Sequence, residues 1–318
     1  MRIYLFASIL ILADTSAALA QGDADRQLSA QRNICLDGSI YSTDQRIAAC
    51  NEAIGSNWYQ GRDLARLYFS RSTLFDEKGD SVSGLSDLDA ALKAWRGIVN
   101  NVINRSVKYL HEKKYDIAIA DLNHAAELFP DSYPILADRA AAHLHRGDLD
   151  AAARDDAAAL ALKPDGEAAI MIRGLVEARQ GDISSALKDF EYIQQREPRD
   201  EEAFNASCYT RALAKLDIES RALPDCENAV ALAPESANAR DSRGYVYFLL
   251  GRLDAAIADY DAALAIDPKK AVSLYGRGLA KKQKGDIAGG DNDIAAAEAL
   301  LPGIGAKFGT SGIYTLRQ

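Results

Sequence analysis

The sequence predicts an all-α solenoid of stacked helix–turn–helix units, and three observations carry that. Arginines step by 34 residues through Arg71, Arg105, Arg139 and Arg173, then again from Arg243 to Arg277. Prolines keep the same step at Pro130, Pro164 and Pro198, and at Pro234, Pro268 and Pro302. Gly79, Gly147, Gly181, Gly251 and Gly285 occupy one place in the period, with apolar residues at helical spacing on either side. A fixed period of this length belongs to architectures whose units bury their apolar faces only by stacking on neighbours.

Residues 1–20 form a separate object. Arg2 precedes an apolar run from Ile3 to Ala13, and Ala18-Leu19-Ala20 supplies small residues for cleavage, which is the plan of a secretory leader. A membrane anchor needs about twenty apolar residues, and Asp14, Thr15 and Ser16 interrupt this run too early. The expected mature chain starts near Gln21, exported to the periplasm or secreted, and not inserted in the membrane. Residues 21–64 follow as an N-terminal segment. Within it Ser42-Thr43-Asp44-Gln45 reads as a capping box opening a helix through Ile54. Residues 35–54 are expected to form a degenerate half-repeat that caps the stack.

Seven units fill residues 65–302, starting at Ala65, Val99, Tyr133, Glu167, about Ala203, Ala237 and Ala271. In the unit from Ala237, Gly244, Tyr247, Ala256, Tyr260, Ala263 and Pro268 stand at positions 8, 11, 20, 24, 27 and 32. That pattern resembles the tetratricopeptide repeat. The resemblance implies a right-handed superhelical solenoid whose first helices line a concave groove for a protein or peptide. Small residues at positions 8, 20 and 27 let the two helices of a unit approach closely. The closing proline ends the second helix, because it has no N–H to donate. Lys113 replaces the turn glycine in the second unit, at modest cost. The fifth unit is irregular: Pro198 to Pro234 is 36 residues, with two extra residues between Arg199 and Arg221, and Pro224 inside its second helix. Residues 303–318 carry Phe308, Ile313 and Tyr314 among glycines and are expected to fold back over the last unit.

Four cysteines allow three pairings. Cys35 and Cys50 precede the repeats while Cys208 and Cys226 lie four or more units away. Packed helices are about 8–10 Å apart and a disulfide needs Cα atoms within about 7 Å, so only Cys35–Cys50 and Cys208–Cys226 are feasible. Four buried thiols are the alternative.

Net charge is −9 with no basic block, which argues against nucleic acid or an anionic membrane as partner. Asp87, Asp121, Asp155, Asp189, Asp225, Asp259 and Asp293 recur at position 23. They are expected to pair with the position-7 arginines rather than to hold a metal series or a polyanion. His111, His124, His143 and His145 are too dispersed for a metal site. No phosphate loop, G-x-S-x-G elbow or H-E-x-x-H pair occurs, so neither a catalytic residue nor a cofactor is expected.

What remains is the surface of the first helices. The resemblance places groove-lining positions at Ile103, Val107 and Leu110 in the second unit, Ala141 and Leu144 (with Ala137) in the third, and Met171 and Leu175 (with Ala178) in the fourth. The lysine and asparagine that would clamp a carboxylate are replaced by Ile103 and Val107, disfavouring that subclass. The expected function is non-catalytic capture of a protein or peptide. An accessory role in an enzyme complex, or a homo-oligomer formed through the same groove, is the alternative.

Overall fold

A computed structural model of the chain describes residues 25–37 and 40–308. The expected leader and residues 309–318 lie outside the described residues. Among the described residues every regular element is helical. They divide into two compact units: Met1–Tyr109 with Asp116–Pro130, and Leu110–Tyr115 with Asp131–Gln318.

The first holds α1 (residues 25–36), α2 (Thr43–Gly55), α3 (Gly61–Glu77), α4 (Ser81–Ala94), and most of α5 (Val99–His111) and α6 (Tyr115–Leu128). Both capping-box bonds form: the Ser42 side chain accepts from the Gln45 amide, and the Gln45 side chain accepts from the Ser42 amide. Helix α1 was not expected. It converts the supposed half-repeat into a helix pair, because the Cys35–Cys50 disulfide, with Cα atoms 4.9 Å apart, closes α1 onto α2. Gln27 donates to Glu52, and the Tyr59 hydroxyl donates to the Leu28 carbonyl. The pair buries Ala49 and Ala53 against Leu67 and Leu74 of α3, so the first repeat has a covered face.

The second compact unit runs α7 (Tyr133–Arg146), α8 (Leu149–Leu162), α9 (Glu167–Gln180), α10 (Ile183–Arg196), α11 (Glu201–Ala214), α12 (Leu223–Leu232), α13 (Ala237–Leu249), α14 (Leu253–Ile266), α15 (Ala271–Lys284), α16 (Ile287–Leu300) and α17 (Ile304–Lys307). Each first helix packs on its own second helix and on the next first helix, as α7 does on α8 and α9. Where Gly147 turns the chain it has φ +91, a left-handed backbone that glycine adopts freely. Lys113 takes the same conformation at φ +59, costing roughly 1 kcal/mol. The adjacent glycines Gly289 and Gly290, which look like a weakness in α16, have a packing reason. A Cβ on Gly290 would stand 2.6 Å from the Gly278 carbonyl oxygen of α15, so the two helices touch backbone to backbone.

The fifth repeat begins at Glu201 rather than near Ala203. Its extra residues sit in the turn after Lys215, where Asp217 has φ +49 and Ile218–Ala222 forms a π-helical turn leading into α12. Pro224 falls in the first turn of α12, directly after the π-helical turn. The second disulfide, Cys208–Cys226 with Cα atoms 5.2 Å apart, ties α11 to α12 across this insertion.

Candidate partner-binding face

The arginine and aspartate rows pair internally. Arg71–Asp87, Arg105–Asp121, Arg139–Asp155, Arg173–Asp189, Arg243–Asp259 and Arg277–Asp293 are all bidentate, with Nε and Nη2 donating at 2.6–2.8 Å. Each joins the first helix of a repeat to its second and neutralises both rows, leaving little field for a ligand. The fifth repeat departs: Ser207 stands in the arginine's place and its hydroxyl donates to Asp225 at 2.7 Å. Among the described residues no group of three or more His, Cys, Asp or Glu could hold a metal ion.

The first-helix residues expected to line a groove do not share one environment. In the first compact unit Val107 is 36% exposed and Ile103 is half-buried. In the second, Leu110, Ala141 and Leu175 are half-buried. Leu144 and Met171 are core, and their expectation as accessible lining is corrected. Leu144 is 1% exposed, packed with Ala140, Ala152, Ile172 and Val176. Met171 lies with Ile170, Phe190 and Ala206. Both side chains point into the seam where adjacent repeats meet, so neighbouring helices cover them.

Within the second compact unit the first helices also carry aromatic residues at the equivalent positions. Tyr209 of α11 has its ring 6.2 Å from that of Tyr245 of α13. Phe308 packs edge-on against Tyr245 at 5.4 Å and against Tyr275 of α15 at 5.0 Å. Phe308 thus packs on the last repeat and also reaches the repeat before it, while Ile313 and Tyr314 lie outside the described residues. Tyr209 and Tyr245 occupy the same position in their helices as Ala141 and Leu175 in theirs, so the signal was a change of residue type along one register. Tyr115 stacks on His145 at 5.8 Å, with ring planes 9° apart. Burial, together with the charge of Arg179, lowers the His145 pKa to about 4, so it is neutral at physiological pH. The Arg179 guanidinium donates to the Leu144 carbonyl at 2.7 Å. Arg179 is thus the charged group among these aromatic side chains, beside the neutral His145.

Other exposed apolar residues form a row on the second helices. Leu162, Leu232, Ile266 and Leu300 stand at equivalent positions, 36–45% exposed, and Arg196 interrupts them in α10.

A tetratricopeptide-repeat family model matches residues 244–285. No curated protein matches the sequence. Among solved structures the chain is similar to a tetratricopeptide repeat protein from Parabacteroides merdae, at 20% identity and TM-score 0.58, covering 76% of this chain and 95% of that one. Pseudomonas aeruginosa pilF matches at 17% identity and TM-score 0.51, covering 64% and 92%. The Cut9–Hcn1 hetero-tetramer of the APC/C matches at 16% identity and TM-score 0.59, covering 87% and 53%. Identities this low speak for the fold alone.

Proposed function

We propose that this tetratricopeptide-repeat protein is a non-catalytic scaffold that captures a protein or peptide on the exposed face of its first helices. One observation carries the reading. Phe308, from outside the repeats, lies on Tyr245 and Tyr275, so the face already accepts an apolar side chain of another segment. Tyrosine suits such a surface, offering a large rigid contact area with a polar tip. The test is capture from an envelope extract by immobilised mature protein. Val107→Glu is the informative variant because its side chain is exposed, so the melting temperature should stay near that of the parent while capture is lost. Leu175→Glu should also lose capture, with some loss of stability since it packs against two core clusters. Lys188→Glu on a second helix should change neither. A folded Val107→Glu protein that captures undiminished overturns the first-helix face and points to the Leu162, Leu232, Ile266 and Leu300 row.

We further infer that the protein works outside the cytoplasm. Two disulfides suit an oxidising compartment, and residues 1–20 have the composition of a leader. No helix among the described residues is long and apolar enough to cross a membrane. Protein recovered from the envelope should begin at Gln21 and show Cys35–Cys50 and Cys208–Cys226 links by non-reducing peptide mapping. Four alkylatable thiols, or an uncleaved leader, would overturn this.

A further inference from the structure

A cleft of about 260 Å³ lies where the N-terminal helix pair closes on the first repeat, wholly within the first compact unit. Arg46 of α2 and Arg66 of α3 line it, with Phe69 of α3, Leu36 from the end of α1 and Asn101 of α5. Glu77 is the one acidic residue of the lining, so two positive charges stand against one negative. Arg46 comes from outside the repeats and is held by the cap. Its Nη2 donates to the Cys35 carbonyl at 3.3 Å, and the Ser70 hydroxyl donates to the same carbonyl at 2.7 Å. Cys35 is in turn bonded to Cys50, one turn beyond Arg46 on α2.

Two observations point to an anion. The Nε of Arg46 is buried without a hydrogen-bond partner, and an unpaired buried donor is costly. The exposed Arg66 guanidinium makes no ion pair among the described residues. The neighbouring hydroxyls are already committed, because Ser70 donates to Cys35 and Thr73 donates to the Phe69 carbonyl at 3.2 Å. The two guanidiniums and the Asn101 amide are therefore the donors open to a ligand. Charge decides its kind. One excess positive charge is cancelled by a carboxylate, whereas a phosphate monoester, close to two negative charges at neutral pH, overshoots it. Arginine forks match a carboxylate in geometry, and half-buried Leu36 and Phe69 suit an aliphatic stem behind it.

We propose that this cleft binds a glutamate side chain of a partner protein, its carboxylate between Arg46 and Arg66 and its methylenes against Leu36 and Phe69. The Asn101 amide then donates to a backbone carbonyl of the same segment. Half-buried Arg46 has to be reached from outside, which the two methylenes of glutamate do better than the single one of aspartate. The site exists because the disulfide-closed cap brings an arginine against the first repeat, so it belongs to this cap and not to the repeat pattern. It rests on the scaffold reading only for the source of the side chain. The preference for a carboxylate stands on the cleft alone.

The experiment reads the Arg46 Nε–Hε resonance in isotope-labelled protein. Ac-Gly-Glu-Gly-NH2 should move it saturably, whereas Ac-Gly-Gln-Gly-NH2, of the same shape without the charge, should not. Arg66→Gln, at an exposed position, should keep the parent's melting temperature and bind the glutamate peptide about tenfold more weakly, the loss of one charge-assisted contact. Propionate has the carboxylate without a backbone and should bind several-fold more weakly than the peptide, because Asn101 then has no carbonyl to meet. Equal shifts from the glutamate and glutamine peptides, or an affinity unchanged in Arg66→Gln, overturn the anion site. Inorganic phosphate that binds more tightly than the glutamate peptide overturns the carboxylate. Propionate that binds as tightly as the peptide overturns a protein side chain as its source. Capture by the Val107→Glu protein, measured separately, is unaffected by any of these results.

Discussion

Arg105→Ala should destabilise the protein by about 3–5 kcal/mol, while the same change at Arg173 should cost about 1 kcal/mol or less. The two residues hold one place in the repeat and make the same bidentate pair, so sequence gives no reason for a difference. Their surroundings do. The Arg105 side chain is 4% exposed and Asp121 is fully buried, and Asp76 lies 3.5 Å from the same guanidinium. Arg105 also donates to Ser72 and lies 5.1 Å from the Phe69 ring. Removing it leaves the fully buried Asp121 without its bidentate partner and takes a cation from beside Asp76, which keeps the Tyr109 hydroxyl. Burial, opposed by Arg105 itself, already holds the Asp121 pKa at about 6, and without the arginine the group loses the main influence that keeps it ionised. The Arg173 side chain, by contrast, is 44% exposed, so water replaces the lost contact. Urea unfolding of both variants at neutral pH checks this. Equal losses at the two positions would show that the pairs act as identical units regardless of burial.

Asp156→Asn should stabilise the protein at pH 8 and make little difference near pH 4. Asp156 of α8 is 3% exposed, and its Oδ1 has no hydrogen-bond partner. Burial raises its pKa to about 7, with Arg173 opposing and Asp189 and Glu177 adding to the rise. In the unfolded chain the group titrates near 3.9. A raised folded pKa means the native state prefers the neutral acid. The contribution is complete below about pH 4 and is lost as pH rises through 7, at most about 1.4 kcal/mol per pH unit. Across that window the loss reaches roughly 4 kcal/mol as an upper bound. Asparagine copies the neutral acid's shape without its ionisation, so the variant should gain a few kcal/mol over the parent at pH 8. Asp138 and Asp241, both raised to about 6 by burial, slope the same way and remain in the variant. A stability difference that does not change with pH would show that Asp156 is ionised throughout.

The Asp156 position also shows how a repeat sequence is legible and where it stops being so. Its equivalents in other repeats are Phe190 and Tyr260, both fully buried. The period alone marks Asp156 as an apolar site filled by an acid, but only the packed helices reveal that no donor meets its Oδ1.

The sequence by itself determined what depends on distance along the chain. The 34-residue step, the glycine turns and the closing prolines fix where first and second helices lie. The spacing of 16 from Arg105 to Asp121 fixes their pairing, because both sit on facing sides of one hairpin. The disulfide partners followed as well, since repeats several units apart cannot touch. Tertiary structure alone decided what depends on how neighbouring units are staggered. Leu144 and Met171 are covered by residues of neighbouring helices, while Val107 remains exposed. The π-helical turn absorbed the two extra residues after Ser207, so Ser207 meets Asp225 in place of an arginine. Helix α1, without the repeat's glycine or proline marks, is held by Cys35 and by packing against α2. Phe308 finds Tyr245 and Tyr275 only once two successive first helices are side by side, because a contact between distant segments leaves no period to read.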